Sequence, residues 1–125
     1  MLNEWDYKEL FSTIDGTYID KFIKDFRKKF GSDELAEYVF CNGYCYHFAC
    51  ILAHMFRGSI MYNPIDNHFG FGDTETDFVW DITGKIGSIW DPQWKTWSNY
   101  QVKEPIESQR IIEQCIYKVY NNEDF

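Results

Sequence analysis

The stretch from His68 to Ile82, HFGFGDTETDFVWDI, decides how the chain is read. Large apolar residues alternate with small or polar ones on both sides of Asp73-Thr74-Glu75-Thr76, so the pattern predicts two strands joined by a four-residue loop into an antiparallel hairpin. The expected pairs are Gly72 with Asp77, Phe71 with Phe78, Gly70 with Val79, Phe69 with Trp80 and His68 with Asp81. One face is then an aromatic ladder of Phe69, Phe71, Phe78 and Trp80, extended by Ile82. A one-residue slip would set that ladder against polar positions, so the hydrophobic pattern specifies the parity. On the opposite face His68 and Asp81 become cross-strand neighbours, with Cβ atoms about 5 Å apart. A carboxylate there can accept an imidazole N–H, orient the ring and stabilise its protonated form.

Upstream of the hairpin, Asn42-Gly43 breaks the chain and YCYHFACILAHMF runs to Arg57-Gly58. Cys45, Phe48, Ala49, Leu52, Met55 and Phe56 follow the three-and-four spacing of a core-facing helix, with Gly58 expected at its C-terminus. Cys45 falls in the first turn, where unpaired backbone N–H groups and a nearby imidazolium favour a thiolate. The same N–H groups can supply part of an oxyanion hole, with Asn42 and Tyr44 as candidate side-chain donors. Further upstream, residues 4–13 suggest a short helix, Thr17 caps a stronger one ending at Gly31, and Ser32 opens another. Leu35 rather than Glu or Gln follows three places after Ser32, so the reciprocal capping box is missing. Strands are expected over Ser59–Tyr62, His68–Gly72 and Phe78–Ile82. A Trp-rich irregular stretch follows Gly84, with a last helix over about Ile106–Tyr120. The order is helices, strands, helix: an α+β domain spanning residues 1–125, in which the Cys-bearing central helix packs on a small antiparallel sheet.

The 125 residues include 20% aromatics, enough for a real core, which excludes a disordered chain. Twenty acidic residues against 12 basic give a net charge of −8, the wrong sign for gripping nucleic-acid phosphate. Within residues 63–93, Asp66, Asp73, Glu75, Asp77, Asp81 and Asp91 face only Lys85, so a basic peptide or protein is drawn to that side. The longest apolar run, Phe48 to Ala53, is far shorter than a membrane span, and the acidic start MLNEWDYKELF does not read as a secretory signal. Three of the four cysteines, Cys41, Cys45 and Cys50, crowd into ten residues, which suits reduced thiols in a cytoplasm better than a disulfide framework. Cys41, Cys45, His47, Cys50 and His54 are zinc-type ligands, but Cys-x3-Cys-x4-Cys with no second compact pair is the wrong spacing, so no metal is expected. No phosphate loop or nucleotide fingerprint is present, so no cofactor is expected either.

Cysteine opening a helix, histidine on a strand and an acid on the next strand resembles the chain order of the papain-like superfamily, shared by NlpC-type cell-wall peptidases and transglutaminase-like domains. The stretch NGYCYHFACILAHMF…GSIMYNPIDNHFGFG…FVWDITGKI, within about residues 42–86, is also similar to small proteins of bacterial phages and prophages. The resemblance implies a papain-like fold with Cys45 as nucleophile, His68 as general base and acid, and Asp81 orienting the ring. The Asp-Cys-Ser-Gly run usual around the nucleophile of the cell-wall enzymes is absent, the sequence here being Gly43-Tyr44-Cys45-Tyr46. Two functions follow as expectations. One is a thiol hydrolase or acyltransferase acting on an amide or isopeptide bond of a protein or peptide in the bacterial host. The other is an acidic phage protein that binds and inhibits a basic host protein, such as a nucleic-acid-binding or defence factor, without catalysis.

Overall fold

The structure, a computed structural model, describes residues 17–41 and 44–116. The expected helix over residues 4–13, Asn42-Gly43 and the chain end lie outside the described residues, as does the Cys115 side chain. Helix α1 (Thr17–Phe30) takes in the residue expected to cap it. It buries Tyr18, Ile19, Phe22 and Ile23, while Lys21 and Lys24 on its outer side pair with Asp25 and Asp20 one turn away. Ser32 caps α2 (Asp33–Cys41) as expected, its Oγ accepting the Leu35 N–H at 3.0 Å. Helix α3 (Cys45–Met55) buries Phe48, Ala49 and Leu52.

Five antiparallel strands follow: β1 (Gly58–Asn63), β2 (His68–Asp73), β3 (Phe78–Asp81), β4 (Gly84–Ser88) and β5 (Lys95–Thr96), in the order β4-β3-β2-β1-β5. The fold is therefore α+β. Phe71, Trp80 and Ile82 form the sheet's side of the main core, packed with the apolar faces of α1, α2 and α3, and Phe78 borders it. Phe69 joins a neighbouring cluster with Tyr62, Trp97 and Ala49. The ladder face and its parity are as the alternation predicts.

The register is not. Phe71 pairs with Trp80 and Gly72 with Val79, a shift of two residues from the expected pairing. The cause lies in the turn. Asp73 is buried and stays in β2, where its carboxylate accepts the Tyr18 hydroxyl at 2.7 Å, the Thr76 N–H at 3.1 Å and the Thr76 hydroxyl at 2.5 Å. The loop moves on to residues 74–77 and closes with Asp77 at φ 64°, its N–H donating to the Asp73 carbonyl. A two-residue shift preserves every face.

Three other expectations change. Gly58 opens β1 rather than ending α3, whose C-cap is Phe56. The irregular Trp-rich stretch contains β4, β5 and helix α4 (Trp97–Lys103). The single last helix is α5 (Pro105–Ile111), separated from α4 at Glu104 and continued by a wider π-helical turn, Ile112–Ile116. On the sheet face opposite the ladder, Met61 and Val79 are covered by Trp94, with Ile86 and Ile89 beside them. Gly70 and Gly72 permit that cover, because a Cβ on Gly70 would come within 2.8 Å of the Val79 side chain.

Candidate active site

Sequence order alone places Cys45, His68 and Asp81 on three elements; the packing of α3 against β2 and the pairing of β2 with β3 bring those elements together. Cys45 is the first residue of α3 and is half-buried. Tyr44, which precedes it, offers no side-chain cap, and its carbonyl accepts the N–H groups of His47 and Phe48. Intrahelical pairing therefore starts at His47, and the Cys45 N–H, ahead of it, is one that helix geometry leaves to point out of the helix start. His68 begins β2 and Asp81 ends β3. With the register shifted, Gly70 rather than His68 falls opposite Asp81, yet the pair still meets: His68 Nε2 lies 2.8 Å from Asp81 Oδ2. Diagonal neighbours on one sheet face are within reach of long side chains.

Asp81 accepts at Oδ2, so Nε2 carries the proton and donates it. Cys45 lies close enough to His68 to act on its ring. The hydrogen bond from Asp81 and then that from Cys45 push the imidazole up to about 10, against an opposing effect of burial. With its proton held up to about 10, the ring is an imidazolium at neutral pH, bound to a carboxylate.

Asp81 is itself held. It is buried, and its Oδ1 accepts the Thr83 N–H at 2.7 Å and the Thr83 hydroxyl at 2.5 Å. The turn carrying Thr83 is pinned in addition by Arg27, whose Nη1 donates to the Ile82 carbonyl at 3.0 Å. Arg27 is fixed in turn by Asp33 and Glu37. Sequence reading missed Thr83, although an Asp followed two residues later by Thr before Gly is an Asx-turn signal. Trp94, which the sequence places only within the Trp-rich stretch, has its ring centroid 6.3 Å from that of His68. Of the oxyanion candidates, Asn42 lies outside the described residues, and the half-buried Tyr44 packs against the main core.

Desolvation pushes the Cys41 thiol up, reinforced by the Asp81 carboxylate, and burial pushes Cys50 up. Among the described residues no three His, Cys, Asp or Glu side chains converge as a metal cage. No described helix is long and apolar enough to cross a membrane.

Residues 19–123 match the family model described as Phage YunG-like protein. The chain belongs to that family. Cys45, His68 and Asp81 all lie within the matched span of this YunG-like protein, as do α2 to α5 and the whole sheet. No curated protein matches it, and no solved structure does.

The raised imidazole has a consequence for stability. An unfolded His68 titrates near 6.5, whereas the folded ring holds its proton up to about 10. Its contribution is therefore complete below pH 6.5 and declines as pH rises toward 10, where the folded ring also deprotonates. Urea unfolding between pH 6 and 10 should show stability falling, with a single-site slope no steeper than about 1.4 kcal/mol per pH unit. The variant His68→Gln should lose that component of the slope; an unchanged slope would contradict the arrangement.

Proposed function

We propose that this chain is a papain-like thiol hydrolase or acyltransferase that cleaves an amide or isopeptide bond through Cys45, His68 and Asp81. The reading is carried by one observation: His68 Nε2 lies 2.8 Å from Asp81 Oδ2, with Cys45 close enough to act on the same ring. The thiolate of Cys45 adds to the carbonyl carbon, and the oxyanion is met by backbone N–H groups at the start of α3. As the C–N bond breaks, the imidazolium gives its proton to the departing amine and a thioester remains. His68 then takes a proton from water, or from an acceptor amine, as it attacks the thioester. The C–S bond breaks, releasing an acid or a new amide and restoring the thiolate. Asp81 keeps Nδ1 directed at the sulfur throughout and stabilises the positive ring.

The test is selective reactivity. Iodoacetamide at about pH 6–7 should alkylate Cys45 at least about tenfold faster than Cys41 or Cys50, read residue by residue by mass spectrometry. The activated ester p-nitrophenyl acetate should release a burst of nitrophenolate equal to the protein present. The variant Cys45→Ala should abolish the burst while keeping the wild-type circular dichroism. Equal, slow labelling of the three thiols would overturn the proposal and leave the acidic, partner-binding role as the better account.

A further inference from the structure

Strand β1 is paired along its whole length on one side and along only part of it on the other. All of its residues face β2, whereas β5 meets only Met61 and Tyr62 before the chain turns into α4 at Trp97. Burial follows that boundary: Met61, Tyr62 and Asn63 are buried, Ile60 is half-buried, and Gly58 and Ser59 are exposed. The Arg57 carbonyl accepts the Thr74 N–H at 3.1 Å, which sets the parity of the β1–β2 hydrogen bonds. Residues 59, 61 and 63 therefore turn their backbone groups toward β2, and 58, 60 and 62 turn theirs outward. Lys95 lies opposite Tyr62, but among the described residues no strand lies opposite Gly58 or Ile60 on that side. We infer that this free edge binds an extended, uncharged peptide segment of a partner protein as an added strand in line with β5.

An unpaired edge is a template for another chain unless something blocks it. At the opposite edge of the sheet, β4 is blunted by Lys85 and by a register shift opposite Val79 and Trp80. Gly58, Ser59 and Ile60 bring no charge, no proline and no such shift. Beside them, between β1 and α4, lies a cavity of about 700 Å³ whose lining includes Ser59, Met61, Ile89 and Trp94. Ser59 and Met61 alternate on one sheet face, so a strand laid next to them sends every second side chain toward the apolar Met61–Ile89–Trp94 surface. Charge sets the rest of the ligand class. Lys95 pairs with Tyr62 and so points to the other face, and the Asp73 carboxylate is occupied by Tyr18 and Thr76. That leaves Lys103 and Glu104, adjacent and opposite in sign, which favour neither a cationic nor an anionic occupant. Backbone pairing with Ile60 supplies affinity, and the apolar surface selects the side chains. The inference does not depend on the reaction proposed above.

The probes are the blocked peptide Ac-Thr-Val-Thr-Val-NH2 and two analogues N-methylated at alternate amides, each titrated into the full-length protein by NMR. N-methylation removes a donor and leaves the side chains unchanged. Alternate amides of an added strand face its neighbour, so one analogue should bind about tenfold weaker and the other as tightly as the parent. Saturating parent peptide should slow hydrogen exchange of the Ile60 amide by about 100-fold. Ser59→Lys, a charge placed on the exposed edge, should weaken the parent about tenfold and leave the melting temperature and Cys45 labelling unchanged. A counterpart with lysine in place of both valines should bind about tenfold weaker than the parent. No saturable binding, the same affinity for both methylated analogues, or unchanged exchange at Ile60 would each overturn the inference. So would wild-type binding by Ser59→Lys, or a lysine peptide that binds as tightly as the parent. A dimeric protein whose Ile60 amide is already protected without peptide would give the edge to a second copy, and that result overturns it too.

Discussion

Replacing Asp81 by asparagine is expected to slow alkylation of Cys45 at pH 7 by about 100-fold while the domain stays folded. The reason is a matter of donors. In the native arrangement both carboxylate oxygens accept, Oδ2 from His68 Nε2 and Oδ1 from the Thr83 N–H and hydroxyl. An amide has only one accepting oxygen. The Thr83 backbone N–H can only donate, so the oxygen stays with it and the amide NH2 turns toward His68. Nε2 must then present its lone pair, and the ring proton moves to Nδ1. The nitrogen facing the sulfur can no longer take the thiol proton. The opposite orientation of the amide sets its NH2 against the Thr83 N–H, which is no better satisfied. His68 should also fall from about 10 toward or below its ordinary value, because its largest upward influence is gone. NMR titration of the ring and residue-resolved labelling rates provide the check. An unchanged Cys45 rate in Asp81→Asn would show that the sulfur does not depend on the His68–Asp81 pair.

The contrast with Thr83→Val is informative, since it removes only the hydroxyl and leaves the 2.7 Å backbone bond. A smaller loss of labelling is expected there, with the same carboxylate still holding Nε2. The order of effects, asparagine at 81 far above valine at 83, separates orientation of the ring from general damage to the turn.

How much of this was legible follows the range of the interactions. The ladder from Phe69 to Ile82 could be read because alternation is local, and the parity it specified placed His68 and Asp81 on one face. The register could not be read. It depends on Asp73 being held by Tyr18, a residue 55 positions away whose hydroxyl is pushed up by burial and by that carboxylate. Strand β4, with two glycines and a lysine in GKIGS, carries no strand signal of its own; pairing with β3 makes it one. Nor could the Trp-rich stretch show that Trp94 and Trp97 belong to different layers, the first over the second sheet face and the second in the cluster with Tyr62 and Phe69. Cys45 was visible as a helix opener, whereas Thr83 and Arg27 act on Asp81 through a turn whose geometry only the tertiary fold defines.

The second large effect concerns stability. Gly58→Ala is expected to cost about 3 kcal/mol and lower the melting temperature by about 10–15 °C. Gly58 is exposed, lies outside the core clusters and has an ordinary backbone conformation, so neither burial nor φ would single it out. Its importance is one of approach: a Cβ there would lie 2.0 Å from the Gly72 carbonyl oxygen and 2.6 Å from Cζ of Phe71. The first obstacle is backbone of the neighbouring strand β2, and the second is the end of a fully buried ring. Neither can swing aside as a surface side chain would. The strand end must therefore separate, weakening the Gly58–Asp73 end of the β1–β2 pair where Asp73 is tied to Tyr18. Gly84→Ala supplies the comparison. Its φ of 116° disfavours any side chain, but nothing lies within 4 Å of the added carbon. Only backbone strain of about 1–2 kcal/mol remains there. Thermal unfolding of both variants should rank Gly58→Ala well below Gly84→Ala. A melting temperature for Gly58→Ala within about 2 °C of wild type would mean that β1 and β2 do not approach as closely as this register requires.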